Sequence, residues 1–183
     1  YLMNPELAKP LVGEWADFWK NAYDPGKGGF YTNVDRQGNV TGTMKSLLSQ
    51  SRNAYAFSRA FMISGDTSYL TYADRALQFM ETYLWDETHS GWFSSVNEDG
   101  TLYEWDSYNT YKWSFIQHYA TLGLVTMADA TAASRFDATD INGSVFSEKQ
   151  HWEKLIESLD VMDDHLWDDR LEYEGYFNAA ELD

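Results

Sequence analysis

The sequence has 183 residues, enough for a single domain with a sizeable core, and 44% of them are hydrophobic, which argues against a disordered chain. A net charge of −16 argues against nucleic acid and anionic membrane as partners, because both require a basic footprint. The absence of cysteine excludes disulfides, thiol nucleophiles and thiolate-bound metals, and no apolar run reaches transmembrane length. No leader peptide is visible, and an opening on Tyr1 leaves room for one that has been removed. Aromatic residues make up 17% of the chain, with 8 Trp and 13 Tyr. Most are expected to fill a helical core; the remainder offer flat faces with a polar edge, which suit sugar rings.

A first helix is predicted over 5–22, with Pro10 in its first turn and Leu11, Trp15, Phe18 and Ala22 on one stripe. Asp24-Pro25-Gly26 ends it. From Gly28 to Val40 the alternation and an Asp35-Arg36-Gln37-Gly38 turn predict an aromatic hairpin. From Lys45 the period becomes helical and runs to a stop at Gly65. On that helix Leu48, Arg52, Tyr55 and Arg59 share a stripe. Arg52 among such neighbours either snorkels to water or to an ion pair, or it points into a cavity and holds a polar ligand with its fixed N–H donors. A third helix, 67–85, carries Leu70, Ala73, Leu77, Met80 and Leu84 at amphipathic spacing.

At Asp86 the earlier pattern returns. Asp24, Gly29, Phe30, Val34 and Gly38 recur as Asp86, Gly91, Trp92, Val96 and Gly100 at a constant offset of 62 residues. A looser third copy runs from Asp168 to Gly175-Tyr176-Phe177 with two extra residues before its glycine. Each unit is a hairpin, a helix, a tight turn and a returning helix. The next helix is predicted over 106–128, with Tyr108, Tyr111, Phe115, Leu122 and Val125 on one face. The polar, turn-rich stretch 129–146 is read as an insertion or long loop. Its Asp140-Ile141-Asn142-Gly143 resembles a calcium loop only at the centre. Ala138 and Lys149 stand where ligands are needed, so no metal is assigned. A fifth helix, 147–166, carries Trp152, Leu155, Ile156, Leu159 and Met162.

Helix pairs of this kind bury their faces only by stacking on neighbours. Residues 1–183 are therefore expected to form one partial domain, about half of a ring. Trp15, Trp152 and Leu155 should be exposed at its ends, and the remainder should lie beyond Asp183.

Gly28-Gly29-Phe30-Tyr31-Thr32, Asp35-x2-Gly38, Lys45 and Gln50-x-Arg52-x2-Tyr55-x-Phe57-x-Arg59-x-Phe61 resemble the N-acylglucosamine 2-epimerase family of sugar 2-epimerases and aldose–ketose isomerases. Residues 69–93 continue the resemblance. It implies an all-α, (α/α)6 toroid with short hairpins between helix pairs, in which 45–64 and 106–128 are inner helices and 67–85 and 147–166 outer ones. It implies a mono- or oligosaccharide substrate, no metal or organic cofactor, and a cytoplasmic location. Arg52 falls on the family's substrate-binding arginine and is implied as the catalytic electrostatic group, with Tyr55, Tyr111 and Trp113 as further sugar contacts. The family often has Tyr-x-His-x-Phe where this chain has Tyr111-Lys112-Trp113-Ser114-Phe115. Trp113 can stack on a sugar but cannot exchange a proton. The family's acid/base histidines would lie beyond Asp183. Of the four histidines present, His89 sits in a turn, His151 at a helix start, His165 at a helix end, and His118 is expected to pack in the core. Two other readings stay open. One is a glycoside hydrolase or polysaccharide lyase on the same toroid, with Glu104 and Asp106 as its carboxylates. The other is a non-catalytic sugar-binding module, which the Trp113 departure favours.

Overall fold

The computed structural model describes residues 5–134, 148–170, 172 and 174–181. Among the described residues there are five α-helices: α1 (Lys9–Trp19), α2 (Leu47–Ser64), α3 (Ser68–Phe79), α4 (Ser114–Ser134) and α5 (Glu148–His165). One π-helical turn, Met80–Leu84, extends α3. Short strands among the described residues form three antiparallel pairs: β1 (Lys45–Ser46) with β2 (Ser95–Val96), β3 (Tyr111–Trp113) with β6 (Ala179–Glu181), and β4 (Trp167–Asp168) with β5 (Gly175–Tyr176).

The ends of α2 follow from local chemistry. The Ser46 hydroxyl accepts from Ser49 N at 3.2 Å, and Gly65, with φ 77°, closes the other end by donating to Phe61 O at 2.7 Å. α2 and α4 lie side by side as an inner layer; α3 packs outside α2, α5 outside α4, and α1 along the other flank of α2. The inner pair approaches closely at Gly123, where a Cβ would stand 3.1 Å from Ser51 O and 3.2 Å from the Ala54 Cβ. There Ser51 Oγ accepts from Gly123 N at 3.1 Å and donates to Tyr119 O. Between the layers Phe57 stacks on Tyr69 and Tyr72, and Leu70, Leu77, Leu84 and Trp92 are fully or almost fully buried. On α5, Leu155 is buried within this chain, contrary to expectation, because α5 packs against α4; Trp152 and Trp15 remain exposed.

The repeat is repeated in hydrogen bonds. Asp24 N donates to Gly29 O and Asp86 N to Gly91 O, both at 2.9 Å. Tyr31 N donates to Ala22 O and Phe93 N to Leu84 O, both at 2.8 Å, and Phe177 N does the same to Leu166 O at 2.7 Å. The β1–β2 pairing and a 3.3 Å bond from Tyr31 Oη to Glu98 set the first two hairpins side by side at one end of the inner helices.

The helix expected over 106–128 starts at Ser114 and runs to Ser134. Tyr108 lies in a 3-10 turn, and Tyr111 and Trp113 lie in β3 rather than on a helical face. The cause is polar: Asp106 and Asn109 take up backbone groups and hold this segment as a loop. β6 then supplies a strand partner for Tyr111–Trp113. The insertion read over 129–146 begins with helix, since 129–134 belong to α4. Residues 135–147, including Asp140–Gly143, lie outside the described residues.

Candidate functional site

Each of the first two hairpins is tied to its inner helix by one lysine and one glutamine. Lys45, fully buried, donates to Asp24 Oδ2 at 2.6 Å and to Gly28 O at 2.8 Å. Gln50 accepts from Phe30 N at 2.7 Å and donates to Phe30 O at 2.6 Å. In the second copy Lys112 donates to Asp86 Oδ2 at 3.0 Å, and Gln117 holds Trp92 N and O at 2.8 and 3.0 Å. Burial pushes the Asp86 carboxyl up, but the Lys112 bond and the N–H groups of Thr88 and His89 outweigh it and bring its pKa to about 2. Burial pulls the Lys112 ammonium down. Neither clamp was read from the sequence, where Lys45 and Gln50 enter only as motif residues. Their signal was the spacing Lys45-x4-Gln50 repeated as Lys112-x4-Gln117 at an offset of 67 residues instead of 62.

These clamps bring the first two turns of α2 and α4 to the hairpin end. Arg52 and Tyr119 occupy equivalent positions there and touch: Arg52 Nη2 donates to Tyr119 Oη at 3.1 Å, and the guanidinium carbon lies 4.8 Å from the ring centre. Arg52 is exposed on the inner-layer face turned away from α3, and it borders a cavity of 480 Å³ with Trp19, Thr32, Ser46 and Leu48. No carboxylate pairs with it among the described residues, so the ion-pair alternative has no support there. Most of its donors remain open toward the cavity.

The other expected contacts separate. Tyr55 lies one turn further along α2 and lines a different cavity, of 440 Å³, beside Trp15, Trp19 and Arg59. The Arg59 guanidinium sits 5.8 Å from the Tyr55 ring. Trp113 is half-buried in an aromatic cluster, with centroids 5.2 Å from Tyr108, 6.0 Å from Tyr111 and 6.5 Å from Phe115. Its indole N–H is buried without a hydrogen-bond partner among the described residues. Tyr111, in the same strand, is exposed.

His118 corrects the expectation of a core histidine. With α4 starting at Ser114, it falls in the second turn and is exposed. Its Nδ1 lies 2.7 Å from Ser114 O. A carbonyl only accepts, so the neutral ring carries its proton on Nδ1 and leaves Nε2 as an acceptor. His151, by contrast, is buried between Asp74 and Glu81, with Nε2 2.8 Å from Asp74 Oδ1. Asp106 is used by its loop: Oδ2 accepts from Ser95 Oγ at 2.6 Å and Oδ1 from Tyr108 N at 2.9 Å. It therefore makes a poor partner for Glu104 in a two-carboxylate hydrolysis. Among the described residues no group of three or more His, Asp or Glu side chains could hold a metal, and no helix is long and apolar enough to cross a membrane.

Residues 29–176 match the family model of N-acylglucosamine 2-epimerase (GlcNAc 2-epimerase). The chain is 27% identical over 133 residues to a cellobiose 2-epimerase from Eubacterium cellulosolvens, a stretch covering 72% of this chain and 32% of that protein. It superposes on the cellobiose 2-epimerase of Spirochaeta thermophila with a TM-score of 0.69 and 24% identity, covering 96% of this chain and 41% of that one. It superposes on a D-mannose isomerase with a TM-score of 0.75 and 14% identity, covering 97% and 39%. The fold is thus that of the epimerase (α/α)6 barrel, and the chain spans between 32% and 41% of the length of these relatives.

Proposed function

Because the chain belongs to the N-acylglucosamine 2-epimerase family, we propose that it forms the arginine-bearing wall of a sugar 2-epimerase or aldose–ketose isomerase. The observation that carries this reading is Arg52, oriented by Tyr119, open to a cavity and without a carboxylate partner among the described residues. The reaction removes the proton on the carbon next to the sugar carbonyl, and the carbonyl oxygen becomes the oxyanion of an enediolate. A guanidinium already fixed in place stabilises that charge without reorganising as it forms. Return of the proton to the opposite face epimerises; return to the neighbouring carbon isomerises. The scheme requires no metal or organic cofactor. The relatives named for cellobiose and for mannose support a saccharide substrate. The cytoplasm is proposed on family resemblance alone; recovery of the native protein outside the cell would overturn that.

The acid/base groups belong, in this reading, to further helices of the ring. At the 67-residue offset Ala56, Arg59 and Ile63 of α2 correspond to Gly123, Thr126 and Ala130 of α4. The α4 residues are buried, Gly123 against α2; the α2 residues are exposed. That open flank of α2, bordered by Trp15 and Trp19, has the character of a seat for another inner helix.

The test is exchange of the sugar C2 proton with deuterated solvent, together with product formation, in the complete enzyme. Arg52→Ala should lower kcat by ~10²-fold or more, as for loss of an oxyanion donor. Arg52→Lys, which keeps charge but loses the planar fork, should recover only part of the rate. Wild-type rates in Arg52→Ala would defeat the assignment.

A further inference from the structure

The inner helices are fastened to each other at the level of Arg52. Ser51, the residue before it, donates its hydroxyl to Tyr119 O and accepts from Gly123 N at 3.1 Å. With the two backbones this close, α2 and α4 cannot slide past one another without breaking both bonds. From that junction the side chains of Arg52 and Tyr119 meet on the exposed side of the inner layer. Arg52 Nη2 donates to Tyr119 Oη at 3.1 Å, and the guanidinium carbon lies 4.8 Å from the ring centre.

The direction of that bond is fixed by chemistry. A guanidinium only donates, so the phenol oxygen accepts, and its own O–H must point elsewhere. Among the described residues nothing takes it, since the bond from Arg52 is the one hydrogen bond at Tyr119 Oη. Arg52 Nη2 carries a second N–H in the same state. Two unspent donors therefore stand on atoms 3.1 Å apart, close enough for a single oxygen to lie within hydrogen-bond distance of both. They need no assembly when charge develops, because Ser51 already holds the two helices in register. The two differ in kind: the guanidinium brings a full charge, the phenol a neutral and directional O–H. Phe115, one helical turn earlier on α4, offers no such group.

We propose that Tyr119 is a second catalytic residue, whose O–H joins the free N–H of Arg52 Nη2 in holding the oxygen that becomes the enediolate oxyanion. No proton leaves Tyr119; its hydrogen bond to that oxygen strengthens as negative charge gathers there. The identity of the oxygen rests on the function proposed above; the pairing of the two donors does not.

Steady-state kinetics of the complete enzyme with cellobiose and with mannose in deuterated solvent, read as loss of the C2 proton, test it. Tyr119→Phe keeps a ring against the guanidinium and removes only the hydroxyl. It should lower kcat ~10²-fold, as for loss of one oxyanion donor, with KM nearly unchanged. A residue that merely holds Arg52 in place would give a similar loss, so the same substitution is made in Arg52→Ala. Direct donation makes the residual rate fall again, by about tenfold. Equal rates in Arg52→Ala with and without Tyr119→Phe would reduce Tyr119 to a positioning residue and overturn the proposal. A wild-type rate in Tyr119→Phe alone would overturn it too, and both results leave the function proposed above intact. Absence of exchange from the wild type with both sugars would overturn that function, and the proposal with it.

Discussion

At the scale of single residues, the two copies show what each position is for by what replaces it. Arg52 and Tyr119 are equivalent, so one copy places a cation on the inner face and the other places the ring that steadies it. The same comparison exposes a local strain. Gly28, with φ 78°, is matched in the second copy by Ser90, with φ 60°, and Ser90 is the one non-glycine residue of positive φ among those described. A side chain in that left-handed region costs roughly 1–2 kcal/mol. Ser90→Gly should therefore raise the unfolding free energy by about 1 kcal/mol, after the greater chain entropy of glycine is set against the relieved strain. Urea titration would show a higher midpoint at unchanged slope; a lower midpoint would mean that Ser90 makes a compensating contact.

At the scale of elements, the glutamine clamps decide where the inner helices begin relative to the hairpins. Gln50 satisfies both backbone groups of Phe30, which is fully buried beside Phe57. Gln50→Ala would leave a buried N–H and a buried carbonyl unpaired, at about 1–3 kcal/mol each. A loss of about 2–4 kcal/mol in thermal or chemical unfolding is expected, with activity falling too, since the hairpin fixes the level of Arg52. Gln50→Glu supplies only acceptors and should not rescue it, because Phe30 O would still lack a donor. A loss below about 1 kcal/mol would mean that water replaces the clamp.

At the scale of the whole molecule, the outer layer is locked by a buried cation in a chain of net charge −16. His151 on α5 lies between Asp74 of α3 and Glu81 of the following π turn; Gln78 and Gln150 donate to the same two carboxylates, each at 2.6 Å. Burial alone would lower the histidine pKa, but the bonds to Asp74 and Glu81 raise it to about 9. The folded pKa is above the unfolded value, so the stabilisation is complete below pH ~6.5 and is lost as pH rises through about 9. Over that window the unfolding free energy should fall by on the order of 3 kcal/mol. Denaturant titrations between pH 6 and 10 check this, with His151→Gln as the control: the variant should be less stable at pH 6 and nearly flat over the same range. A wild type as flat as the variant would show that the histidine is neutral in the folded state.

The order of hairpin and helix was legible in the sequence wherever the cause is local. The amphipathic spacing in Leu70–Leu84, the Gly65 stop, and the constant offset from Asp24–Gly38 to Asp86–Gly100 each depend on residues a few positions apart, and each appears in the fold. Arg52 was legible as a candidate because Ser46 and Gly65 set the register of its own helix. Tertiary structure decided the rest. The five extra residues before Lys112 moved the start of α4 to Ser114, and strand β6, more than sixty residues later, drew Tyr111 and Trp113 into a sheet. That shift took both side chains off the helical face and lifted His118 out of the core. His151 could be read only as the start of a helix, because the carboxylates that hold it charged are 77 and 70 residues away. Periodicity reports which face of an element is buried; which distant group meets that face depends on long-range contacts that residue spacing does not encode.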